Sequence, residues 1–140
     1  MTTVGIIAEY NPFHKGHQYQ IQKIKEQTGA DFIIVVMSGD FMQRGAPALI
    51  DKYSRTAMAL AGGVDIVFEL PVLFATSSSE NFARAGVALL NQLGNVDYLC
   101  FGSDLGNLAP LKEAANLLIN EPVELSSILK EAMRAGNSFP

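Results

Sequence analysis

Four short apolar segments, Thr3–Ala8, Asp31–Met37, Val64–Leu70 and Val96–Phe101, begin about 30 residues apart, and helical patterns fill the gaps between them. Asp31–Met37 is a continuous β-branched and aromatic run, the pattern of a strand buried on both faces. Lys15–Gln27 carries Tyr19, Ile21 and Ile24 at helical spacing and stops at Gly29. Asp51–Ala61 is also helical and ends on Gly62-Gly63. Ser77 and Glu80 have the spacing of a capping box, opening a helix to about Leu93. Two more helices are predicted, from about Leu108 to Ile119 and from about Glu121 to Ala135, with Asn120 as N-cap and Pro122 in the first turn of the last. The order β-α-β-α-β-α-β-α-α predicts an α/β fold: a parallel sheet with helices on both faces.

A chain of 140 residues suits a single domain over 1–140, able to bury roughly 68–70% of its unfolded surface. Its 49% hydrophobic and 17% charged content argues against disorder. The longest apolar run, Phe32–Met37, is far short of the ~18 residues of a membrane span. The segment Met1–Val4 has no basic residue ahead of its apolar stretch, so no signal peptide is expected and the cytoplasm is the default. Cys100 is the single cysteine and sits in an apolar run, where it reads as a small buried hydrophobe. Residues 1–55 hold six basic and five acidic groups, net +1; residues 56–140 hold four and nine, net −5. Nucleic-acid affinity comes mostly from phosphate neutralisation. This chain by itself is therefore a poor nucleic-acid binder, and a phosphate-bearing ligand fits better near its N-terminal half.

Open parallel sheets bind ligands beyond the carboxyl ends of their strands, near the switch point. That rule singles out the loops after Ala8, Met37, Leu70 and Phe101. The first, Glu9-Tyr10-Asn11-Pro12-Phe13-His14-Lys15-Gly16-His17, holds both histidines of the chain. Three residues apart on a helical turn, they share a face. Gly16 between them lets a ligand approach the backbone. The helix start offers N–H groups and a positive dipole end to an anion, and imidazoles can donate to phosphate oxygens as charge shifts to a leaving group. The same pair also fits plain helix capping, a solvated face, or a metal site with Glu9.

Other positions at this edge carry two readings each. Arg44 is a carboxylate or phosphate partner or a solvated cation. Phe41 and Met42 pack on the core or line a pocket. Gly102-Ser103-Asp104 contacts a base or ribose or forms an ordinary turn. Glu69 is a site group or caps the next segment. Lys52 and Arg55, near the start of a helix, oppose its dipole; a solvated face is the preferred account of both.

His14-x-Gly16-His17 directly after a first strand resembles the signature of the HxGH nucleotidylyltransferase superfamily, which implies a Rossmann-like sheet. Longer stretches, Val4 to His17, Ser38 to Gly45, Phe68-Glu69-Leu70-Pro71 and Leu99 to Ser103, resemble in order the bacterial tRNA(Met) cytidine acetate ligases. The resemblance implies that ATP activates acetate to acetyl-adenylate, releasing pyrophosphate. The acetyl group then passes to the exocyclic amine of the wobble cytidine of elongator tRNA(Met). It implies that Ile7, Ala8, Glu9, Tyr10, Asn11, Pro12, Phe13, His14, Lys15, Gly16, His17 and Gln20 cradle ATP, that Gly102 contacts its nucleoside part, and that His14 and His17 steady the phosphates during attack. Mg2+ is the usual companion of such phosphates, with no protein-held metal expected. Family members are much longer, so the resemblance implies an N-terminal part whose remaining ATP contacts and most tRNA contacts lie in a C-terminal region. A small-molecule adenylyltransferase with Arg44 at the acceptor, and a non-catalytic nucleotide-binding module, are the competing readings.

Overall fold

The computed structural model describes residues 1–137; the end of the expected domain, 138–140, lies outside the described residues. The chain forms two compact units, Met1–Phe101 and a second beginning at Gly102.

The first unit is a four-stranded sheet in the order β3-β2-β1-β4, built from β1 (Thr3–Ala8), β2 (Phe32–Ser38), β3 (Ile66–Leu70) and β4 (Tyr98–Leu99). Every pairing is parallel, with Thr3 opposite Phe32, Ile34 opposite Ile66, and Val4 opposite Tyr98. The helices are α1 (Lys15–Thr28), α2 (Lys52–Ala61), the short α3 (Val72–Ala75) and α4 (Ser79–Gln92).

Strand alternation sorts the side chains into two cores. Val4, Ile6, Ile33, Val35 and Met37 meet Ile21 and Ile24 of α1 and Ala59 of α2. Ile34, Val36 and Leu70 meet Ala75 of α3 and Leu90 of α4 on the opposite face. Each fully buried valine or isoleucine contributes about 1.5–3 kcal/mol. The chain steps from β1 to β3 with its helices on one face, then returns across the sheet to β4 with α4 on the other. A single hand of parallel crossover requires that change of face. The reversal of strand order falls between β1 and β4, which puts the loop after β1 at the switch point. On the α4 side the packing is close. A Cβ on Gly5 would lie 2.7 Å from Leu90 Cδ1, and one on Gly86 would lie 2.7 Å from Ile7 Cδ1.

At the amino ends of the strands one device recurs. Asp31 accepts the Thr2 N–H at 2.7 Å and donates its own N–H to Thr2 O at 2.8 Å. Asp65 makes the same two bonds to Ile33, and Asp97 to Thr3. Each aspartate stands just before a strand and clasps one residue in, or just before, the neighbouring strand.

Several boundaries differ from the sequence reading. The fourth strand pairs only at Tyr98 and Leu99: Asp97 before them is taken up in the clasp on Thr3, and Val96 turns to the α4 side of the core. Ser78, not Ser77, caps α4 and accepts the Asn81 N–H; Ser77 instead accepts from the Asn81 amide, and Glu80 pairs with Arg84. The preceding α3 was not expected; Pro71 at its N-cap sets its start.

The second unit holds α5 (Leu108–Asn120) and α6 (Val123–Arg134). Asn120 belongs to α5 rather than capping α6. Glu121 turns left-handed at φ 37° so that its N–H satisfies Leu117 O, and Pro122 opens α6. Among the described residues no helix is long and apolar enough to cross a membrane.

Candidate functional site

The loop from Glu9 to His14 leaves β1 at the switch point and ends as the N-cap of α1. His14 has extended backbone (φ −143°, ψ 176°), and its Nδ1 accepts the Gly16 N–H at 3.1 Å. His17 reciprocates: its Nδ1 accepts the His14 N–H at 3.2 Å. The result is a capping box made of two imidazoles in place of the usual hydroxyl and carboxylate. The rings stack, with centroids 3.7 Å apart and planes 21° from parallel. A neutral imidazole that accepts at Nδ1 carries its proton on Nε2. Capping therefore selects the tautomer, and both Nε2–H groups remain as donors beyond the helix end.

Gly16 acquires a second reason for being glycine. A Cβ there would come within 2.9 Å of His14 Cε1, so a side chain would displace the ring that caps the helix. The Gly16 N–H is taken by that ring. What the helix start offers an anion is thus mainly the two Nε2–H donors and the dipole.

Aromatic rings back the pair. Tyr10 is 2% exposed, with its ring 4.7 Å from His17 and 5.0 Å edge-on to Phe13. Phe13 seats against Gly62, where a Cβ would collide with its ring. Tyr10 adopts φ 46°, a left-handed conformation that costs a bulky residue roughly 1–2 kcal/mol. Burial pushes its hydroxyl up to about 12, and among the described residues that hydroxyl has no hydrogen-bond partner. The Asn11–Pro12 peptide is cis. Burial lowers the His17 pKa, and the His14 charge lowers it further. The His17 cap, which needs a bare Nδ1, acts in the same direction.

The second loop is fastened to the first. Glu9 Oε1 accepts the Gln43 N–H at 2.7 Å, and Asn11 Oδ1 accepts the Leu49 N–H at 2.8 Å. Met42 is buried, whereas Phe41 is 44% exposed and Arg44 is exposed. Glu69, at the end of β3, receives Lys52 Nζ at 2.8 Å, so that lysine is paired within the chain. Arg55 is not on a solvated face: its exposure is 0% and it bonds to carbonyls of both loops. Sequence reasoning missed it, although Arg55 and the buried Ala59 are four residues apart and so share a helix face.

Ile7 and Ala8 end β1, Glu9 to His14 form the loop and Lys15 to His17 begin α1, with Gln20 half-buried a turn further along the His17 face. Ile7 packs its side chain against Gly86, and Tyr10 buries its own, so either would meet a ligand through its backbone. Lys15 is exposed in the first turn. Gly102 begins the second unit, with nothing within 4 Å of the place a Cβ would occupy. There Ser103 Oγ accepts the Leu105 N–H in a turn. Cys100 lies partly buried beside the core, and burial raises its thiol pKa.

A family model described as HIGH nucleotidyl transferase matches residues 1–140. The chain is 49% identical over 140 residues to the tRNA(Met) cytidine acetate ligase of Acetivibrio thermocellus, and 51% identical over 140 residues to that of Clostridium acetobutylicum. It covers 34% and 35% of those proteins, so it spans about a third of the length of the curated relatives it matches. A crystal structure of Thermotoga maritima TmcAL bound with alpha-thio ATP matches with a TM-score of 0.90 at 44% identity, over 100% of this chain and 34% of that one. Its apo form matches with the same TM-score and identity.

Proposed function

The chain belongs to the HIGH nucleotidyl transferase family, and on that footing we propose that residues 1–140 are the ATP-binding domain of a tRNA(Met) cytidine acetate ligase. The reaction is acetate plus ATP giving acetyl-adenylate and pyrophosphate, followed by acetyl transfer to the wobble cytidine of elongator tRNA(Met). The observation that carries this reading is the pair of imidazoles locked through Nδ1 at the start of α1, both Nε2–H groups free to donate. The relatives' shared name and the alpha-thio ATP held by the Thermotoga maritima protein support it.

His14 and His17 donate to phosphate oxygens, and the helix dipole adds to that field. Lys15 supplies a positive charge in the first turn. The backbone of Ile7, Ala8, Glu9, Tyr10, Asn11, Pro12 and Phe13, with Gly16 and Gln20, forms the cradle. An acetate oxygen attacks the α-phosphorus, the bond to the bridging oxygen breaks, and pyrophosphate leaves carrying the electron pair. No protein nucleophile is needed; positioning and charge stabilisation supply the rate. Mg2+ arrives on the nucleotide's phosphates, and the setting is the cytoplasm. Transfer to tRNA draws on sequence of the relatives beyond the third matched here.

Calorimetric titration of the chain with Mg-ATP, beside the double variant His14→Ala, His17→Ala, tests the site. Binding lost in a folded double variant is the expected result; equal binding by both proteins moves the nucleotide elsewhere. Acetate-dependent exchange of pyrophosphate into ATP, assayed on a chain of the relatives' full length, tests the chemistry. Exchange that requires an organic phosphate in place of acetate would overturn the acetate assignment.

A further inference from the structure

Among the described residues, Arg55 is a charged side chain wholly removed from solvent. Its guanidinium donates from Nε to Ile50 O at 2.9 Å, from Nη1 to Glu9 O at 2.6 Å and Ser38 O at 3.1 Å, and from Nη2 to Gly39 O. These four acceptors are main-chain carbonyls. They belong to the loop after β1, the exit of β2 and the entry to α2. Burial lowers the pKa of the group, and the charges of Asp40, Asp51, Glu9 and Glu69 oppose that shift. The guanidinium stays protonated in any case.

The carbonyl of Glu9 leads directly into Tyr10, whose φ is 46°. A bulky side chain keeps such a backbone only where its surroundings over-determine it. The Tyr10 ring in turn lies against His17, and His17 against His14. Contact therefore runs unbroken from Arg55 through the Glu9 carbonyl and the Tyr10 turn to the imidazoles. From this we infer that Arg55 is a positioning residue for the histidine pair: by holding the Glu9 carbonyl and the left-handed turn at Tyr10, it keeps both rings in one tautomer and one orientation. A lysine ammonium, a point charge with three donors, cannot span carbonyls set this far apart in a planar fork.

The functional consequence rests on reading His14 and His17 as nucleotide donors, but the decisive measurement needs no nucleotide. Imidazole 15N spectra of the wild-type chain at pH 8 are compared with those of Arg55→Lys and Arg55→Gln, with amide protection of β1 and β2 as the check on folding. The expected result is a single Nε2–H form for both histidines in the wild type and a mixture of tautomers in both variants. Folded variants that melt at lower temperature yet retain wild-type tautomers would show a merely structural role and overturn the inference. Should neither variant fold, hydrogen exchange in the wild type decides. The Arg55 Nε–H and the amides of His14, Gly16, Gln43 and Leu49 should then share one opening free energy; independent opening of His14 and Gly16 refutes the coupling. Mg-ATP affinity should fall about tenfold in the folded variants. An absence of Mg-ATP binding in the wild type counts against the nucleotide reading and leaves the tautomer result standing.

Discussion

His14 and His17 each accept a main-chain N–H at Nδ1, the one from Gly16 and the other from His14 itself, while their rings stack at 3.7 Å. Structure and recognition thus use opposite nitrogens of the same rings. The two roles can be separated by substitution.

His14→Asn keeps a good N-cap and removes the Nε2 donor. Stability should stay within about 0.5 kcal/mol of wild type. Mg-ATP affinity should fall by about 1.5–3 kcal/mol, the worth of a hydrogen bond to a charged group. Thermal melts beside calorimetry check it; parallel losses in both would show that His14 serves the fold alone.

The His17 pKa is lowered from 6.5 by burial and by the neighbouring ring. The folded state therefore favours the neutral form. Its stabilisation is complete above pH 6.5 and is lost as pH falls through the depressed folded value. Melting temperature should decline over that acid range in the wild type, and less steeply in His17→Gln, which retains an acceptor for the cap but does not titrate. Identical slopes for the two would exclude His17 as a source.

Tyr10→Phe removes a buried hydroxyl that lacks a partner and keeps the ring against His17. The chain should gain about 1 kcal/mol, with Mg-ATP affinity unchanged. Chemical denaturation measures the gain. A loss of stability would mean that the hydroxyl finds a water or another partner in solution.

Asp65→Ala deletes one side of the clasp on Ile33 while leaving the backbone bond. The Ile33 N–H, left without its acceptor in a buried strand, should cost about 1–3 kcal/mol. Asp65→Asn, which retains a carbonyl oxygen, should recover most of it. Equal stability of all three proteins in urea would show the clasp to be dispensable.

The sheet was readable because β2 is an unbroken apolar run and because Gly29 and Asp51 mark their helix ends as local chemistry dictates. The place of the histidine pair, at the turn from β1 into α1, was legible from its spacing together with the apolar strand before it and the helical pattern after it. Arg55 was not: its acceptors at Glu9 and Ser38 lie 46 and 17 residues away in sequence, so its burial is decided by two loops meeting in space. The same holds for the turn at Tyr10, where nothing local demands φ 46° of a tyrosine. The short α3 and the abbreviated β4 escaped for a simpler reason. Four residues carry too little periodicity to announce a helix, and two paired residues are too few to mark their own ends within the segment Val96–Phe101.

The aspartate clasps at Thr2, Ile33 and Thr3 lie at the strand ends opposite the loops after Ala8 and Ser38. Each works like a key cut into one βα unit, setting its alignment before the chain reaches the loops at the far end. Register is thereby anchored at the end of the sheet away from His14 and His17, so a library confined to the exposed Lys15 and Arg44 should leave strand order intact.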